Sequence, residues 1–148
     1  MYFQQDRNEL RQTYFDVWRR RDDKAQLEPL ELLILGVIEE HPEYHDFLDD
    51  PDSSLDRDFS PEYGQSNPFL HMGMHIAIRE QLTTDRPPGF AMAYAGAVRR
   101  YADSHEAEHR ILECLAETLW LAHRDGTAPA ELDYLEKVRA LGGMEAGS

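Results

Sequence analysis

Residues 103–126 read DSHEAEHRILECLAETLWLAHRDG, and the fold class turns on this stretch. No proline interrupts it, and its one glycine, Gly126, stands at the end. Asp103 or Ser104 is placed to cap a first turn, and Glu106 follows Asp103 by three, the spacing of a capping box. Gly126 supplies the left-handed residue that commonly closes a helix. The segment therefore predicts a long helix from about residue 104 to about residue 124. Stepping 100° per residue sets His105 and His109 on one face with Leu112, Ala116 and Leu119. Glu106, Arg110 and Glu117 turn away from that face.

The flanking chain follows the same logic. Residues 68–83 form a helix with Pro68 in its first turn and Asn67 as cap, ended by DRPPG at 85–89. A further helix covers 90–102. Residues 28–40 form another, with Pro29 in the first turn and Leu30, Leu33, Ile34, Val37 and His41 on one side. Pro42 forbids smooth continuation and opens a short helix to about residue 48. Residues 6–21 show helical spacing at Leu10, Tyr14, Val17 and Trp18, with Arg19, Arg20 and Arg21 at a suitable C-terminus. A shorter helix covers about 129–141. Residues 49–68, with DDPDSS and SPEYGQSNP, read as a long loop of the kind that often serves a site as a lid. No strand pair and no internal repeat is visible. The expected fold is all-α: a helical bundle of four main helices plus one or two short ones.

At 148 residues the chain fits a single domain, 1–148, with GGMEAGS at 142–148 as a frayed tail. Hydrophobic content of 41% against 30% charged residues marks a globular chain. The net charge of −14 repels phosphate backbones, so no nucleic-acid partner is expected. The most apolar run, 30–38, is broken by Glu31, so no membrane span is expected either. The single cysteine, Cys114, fits a reducing compartment, and the first nine residues lack a leader pattern. A cytoplasmic location is the expectation.

Six of the seven histidines fall into three pairs of one spacing: His41 and His45 in HPEYH, His71 and His75 in HMGMH, His105 and His109 in HEAEH. An i, i+4 pair on a helix stacks two imidazoles on one face, where both can reach one ion or each can serve one ion of two. His71 and His75 share their face with Leu70, Met74, Ile78 and Leu82, opposite Glu80. The histidines thus lie on apolar stripes, and a buried imidazole needs a partner for each ring nitrogen. A shared metal ion provides one. Glu108 projects inward beside His105, and Glu40 takes a comparable place beside Leu33. Either serves as a direct ligand or a bridge. Arg79 flanks the His71 and His75 face and is a partner for one of these carboxylates. Pro42 interrupts the helix between His41 and His45, so that pair is the least regular, and His45 is as readily an exposed residue. Other chemistry is thin: Gly73, Gly89 and Gly96 are isolated, and Cys114 has no base beside it.

The segments EEHPEYH, GQSNPFLHMGMHIAIREQL and DSHEAEHRILECLAETLW resemble a family of short bacterial proteins, the domain of unknown function numbered eighteen-forty-one. The resemblance runs from QDRNELRQTYFDVWRR to the YLEKVRAL helix and implies no activity. The chain is also similar in arrangement to hemerythrin-like and DinB-like histidine-rich bundles. That likeness would make His71, His75, His105 and His109 paired bundle ligands, with Glu108 or Glu40 as the carboxylate.

The expected function is metal binding at a buried histidine and carboxylate site formed by His71, His75, His105, His109 and His41, with Glu108, Glu40 and His45 as further candidates. Iron, as a di-iron pair, is the first metal expected and zinc the second. Oxygen chemistry, sensing and metal-assisted hydrolysis all remain open as its role. The contrasting expectation is a metal-free helical interaction module with structural core histidines. A homodimer is a reasonable assembly for such a bundle.

Overall fold

The computed structural model describes residues 2–54 and 67–143. Its helices are α1 (Tyr2–Arg19), α2 (Pro29–Glu39), α3 (His45–Leu48), α4 (Pro51–Ser54), α5 (Pro68–Thr84), α6 (Phe90–Tyr101), α7 (Ser104–Asp125) and α8 (Glu131–Leu141). Short 3₁₀ turns occupy Lys24–Gln26 and Pro42–Tyr44. No strand occurs among the described residues, so the all-α class holds. The expected loop at 49–68 contains α4, and its centre, residues 55–66, lies outside the described residues, as does most of the expected tail, 144–148. Contacts group the chain into two compact units, residues 1–76 and 77–148, and the boundary falls within α5.

In the first unit α1 packs on α2 and α3. Its core is Phe15, Val17, Trp18, Ile34, Leu35, Val37, Ile38, Leu48, Phe69, Met72 and Ile76. Phe69, at the start of α5, meets Tyr14, Phe15 and Phe47 edge-on at 5.6, 5.9 and 5.3 Å between ring centres. Such edge-to-face pairs add to the area they bury. In the second unit α6, α7 and α8 pack on one another in pairs. Phe90 stacks on Tyr134 at 5.9 Å, and Ala93, Ala97, Ala107, Ile111, Leu135 and Val138 fill the space between the helices. Gly142 comes so close to α6 that a Cβ there would lie 2.7 Å from the carbonyl carbon of Gly96.

Several expected faces are corrected. Leu10, Leu30 and Leu70 are 69%, 52% and 63% exposed rather than buried. On α7 the buried positions are Ala107, Glu108, Ile111, Leu115, Thr118 and Ala122, while Leu119 is 45% exposed and Ala116 is exposed as well. The stripe is therefore rotated from the one through Leu112, Ala116 and Leu119. Small and β-branched residues fit the close approach of α6 and α8, and hydrophobicity alone ranks Leu119 above Ala107.

Candidate metal centre

His41 is 1% exposed and sits where α2 has just ended. Its backbone, at φ −126° and ψ 66°, leaves the helix, and Pro42 opens the 3₁₀ turn that follows. The i, i+4 helical geometry of the His41 and His45 pair is lost there, as the proline implied. His41 Nδ1 lies 2.7 Å from the carbonyl oxygen of Val37. A carbonyl can only accept, so Nδ1 carries the proton and Nε2 carries the lone pair. Tyr44 stacks flat on the His41 ring, 5.6 Å away with 6° between planes.

The other two imidazoles of the first unit come from α5. Asn67 fixes where that helix starts: its Oδ1 accepts from the amides of Phe69 at 3.0 Å and Leu70 at 3.2 Å. With that start His71 and His75 stand one turn apart, ring centres 4.8 Å from each other and Nε2 atoms 3.2 Å apart. Gly73 lies between them, and a Cβ there would touch the Tyr14 hydroxyl at 3.5 Å. Burial pushes the Tyr14 phenol up to about 12, so it stays a neutral neighbour. The His41 ring centre is 5.1 Å from that of His71 and 4.8 Å from that of His75. One ring nitrogen from each of the three lies within 4.8 Å of the other two. His75 is fully buried, and His71 is partly open.

Two other predicted ligands of this unit lie elsewhere. His45 Nε2 donates to the Ile38 carbonyl at 2.8 Å, and its ring lies 4.3 Å from Trp18. His45 is not among the histidines whose ring nitrogens cluster. Glu40 is exposed at the C-cap of α2.

In the second unit Asp103 caps α7 by accepting from the His105 amide at 3.0 Å. His109 Nδ1 donates to the His105 carbonyl at 3.1 Å, which again leaves the lone pair on Nε2. The His105 and His109 rings meet edge-on at 4.3 Å. Glu108 is 1% exposed, and both its oxygens are engaged. Oε1 accepts from Tyr94 Oη at 3.0 Å and Arg79 Nε at 3.3 Å, and Oε2 accepts from Arg79 Nη2 at 3.2 Å. The expected partnership of Arg79 with a carboxylate is thus with Glu108. The Tyr94 hydroxyl was not foreseen. Its position one turn after Phe90 marks a helix face, but spacing does not say what a phenol oxygen reaches. Burial pushes the Cys114 thiol up, away from a reactive thiolate.

Among the described residues no helix is long and apolar enough to cross a membrane. The family model described as "Domain of unknown function (DUF1841)" matches residues 6–140. No curated protein and no solved structure matches the chain, so the likeness to hemerythrin-like and DinB-like bundles rests on the histidine pattern alone.

Proposed function

The chain belongs to the DUF1841 family, whose description assigns no activity, and we propose from its own residues that it is a metal-binding helical protein with His41, His71 and His75 as ligands. The observation that carries this reading is the convergence of three imidazoles in the first unit, two of them at 1% and 0% exposure. Imidazole nitrogens are common metal ligands, and an ion held by these rings would replace the 3.2 Å contact between His71 and His75. Sensing, oxygen chemistry and hydrolysis are each compatible with such a centre.

The test is elemental analysis of tag-free protein beside a His71→Ala, His75→Ala double variant. The expected result is about one equivalent of metal per chain, falling to background in the variant. Metal at background in the wild type, even after anaerobic reconstitution, would overturn the proposal. In that case the 3.2 Å approach of His71 and His75 is an ordinary N–H···N hydrogen bond, and the metal-free interaction module is the better account.

A further inference from the structure

We propose that the groove between the C-terminal half of α1 and the corner joining α3 to α4 binds a small zwitterion, a free amino acid with an apolar side chain, through Arg21 and Asp49. The site lies wholly within the first unit and is independent of the histidine cluster.

The groove has a volume of about 210 Å³. Phe15, Trp18, Leu48 and Pro51 give it an apolar lining, and Arg21 and Asp49 bring opposite charges to it. Sites for drug-sized molecules run to about 300–1,000 Å³, so this one suits a ligand of one small apolar group and a polar head.

Trp18 organises the two charges. Its Nε1–H donates to Asp49 Oδ1 at 2.7 Å, and among the described residues Oδ2 of that carboxylate has no protein donor. Arg21 Cζ lies 4.1 Å from the centre of the Trp18 ring, and Nη1 donates to the Trp18 carbonyl at 2.7 Å. These contacts hold the guanidinium in place. Its Nε and Nη2 donors meet no carboxylate among the described residues. A cation and an anion are thus fixed on one indole without pairing with each other. Because both touch the same ring, their separation is one that a single amino-acid head group and its two hydrogen bonds can bridge.

The charge balance selects the ligand. Arg19 also lines the groove, but Asp16 already takes its Nη2 at 3.0 Å. What remains is one positive and one negative group. A simple anion would meet Asp49, and a simple cation would meet Arg21. A zwitterion satisfies both and leaves neither desolvated without a partner. Its carboxylate suits the planar donors of Arg21, its ammonium suits Asp49 Oδ2, and its side chain covers the apolar lining.

The experiment is NMR of the full-length chain with isotope-labelled tryptophan. The Trp18 indole N–H reports on Asp49, its acceptor, and Trp120, on α7 and 61% exposed, is the internal control. L-Phenylalanine, phenethylamine (which lacks the carboxylate) and hydrocinnamate (which lacks the amine) are titrated in turn. Phenylalanine should shift the Trp18 signal saturably, with half-saturation at about 1 mM or below, and leave Trp120 unmoved. Each analogue should bind more than about tenfold more weakly, since each leaves one charge of the groove without its partner. Arg21→Gln should erase the preference for phenylalanine over phenethylamine. Asp49→Asn keeps an acceptor for the Trp18 N–H and should erase the preference over hydrocinnamate. The two substitutions are independent, so if one fails to fold the other decides. No saturable Trp18 shift up to about 20 mM phenylalanine would overturn the proposal. So would equal shifts of Trp18 and Trp120, analogues that bind within about threefold of phenylalanine, or preferences that survive the substitutions.

Discussion

The carboxylate of Glu108 is taken almost wholly out of water, and a charge at that depth persists only where donors occupy its lone pairs. Arg79 supplies two and Tyr94 a third. Removing the charge while keeping the shape leaves the guanidinium with a poor acceptor. Glu108→Gln should therefore lower the unfolding free energy by about 3 kcal/mol, the low end for a broken buried pair because Arg79 keeps some solvent contact. Tyr94→Phe deletes one hydrogen bond and should cost about 1 kcal/mol. Urea unfolding at neutral pH reads both, and equal losses in the two variants would mean that the Arg79 pair carries no weight of its own. The inward direction of Glu108 was legible, since 100° steps place it beside the apolar side of its helix. That Arg79 would pair with a carboxylate was legible as well, but not that Glu108 rather than Glu40 would be the one. Tyr94 was not, because a hydroxyl's partner depends on which helix comes to lie opposite. His45 illustrates the other limit: a repeated HxxxH spacing has meaning only while the helix continues, and Pro42 ends that continuity.

At the scale of the element, starts and stops were the most readable features, because they are written in local chemistry. Asn67 and Asp103 cap the starts of α5 and α7 as their side chains predict, and Gly126, with no Cβ, closes α7 in the left-handed region. Faces were less readable, as α7 shows: its buried side is set by the helices that pack on it, and leucines such as Leu119 are left outside. The start of α6 carries a cap that the sequence analysis passed over. Asp85, in the left-handed region at φ 52°, accepts from the Ala91 amide at 2.9 Å and the Gly89 amide at 3.2 Å. Those bonds, the one from Ala91 first, hold its carboxyl below the ordinary 3.8. A depressed carboxylate stabilises the fold above the ordinary value, and that contribution drains away as pH falls through its own lower value. Asp85→Asn keeps the tolerance for left-handed backbone but loses the charge. The variant should melt lower than wild type at pH 7, with the gap narrowing below pH 3.8 as the wild-type carboxyl is protonated. A gap that stays constant from pH 7 to pH 2.5 would mean that the cap acts through shape alone.

For the molecule as a whole, the dominant quantity is a net charge of −14 on 148 residues. Like charges at this density oppose compaction. The attractive pairs are local and mostly at the surface: Arg20 with Glu31, Lys24 with Glu39 at 3.6 Å, Lys137 with Glu117 at 3.1 Å. Exposed pairs of this kind contribute little each, about 0–1 kcal/mol. Repulsion acts over many more charge pairs, at separations comparable to the screening length of about 10 Å at 0.1 M salt. Salt therefore weakens the repulsion more than it weakens the pairs. The metal-free protein should melt higher as NaCl rises from about 0.05 M to about 0.5 M, by roughly 2–4 °C if screening restores about 1 kcal/mol. KCl should give the same curve, since the effect follows ionic strength and not the identity of the cation. A melting temperature that falls with salt would show instead that the local ion pairs outweigh the net charge. The stability of the fold would then rest on contacts such as Arg20 with Glu31 more than on relief of its acidity.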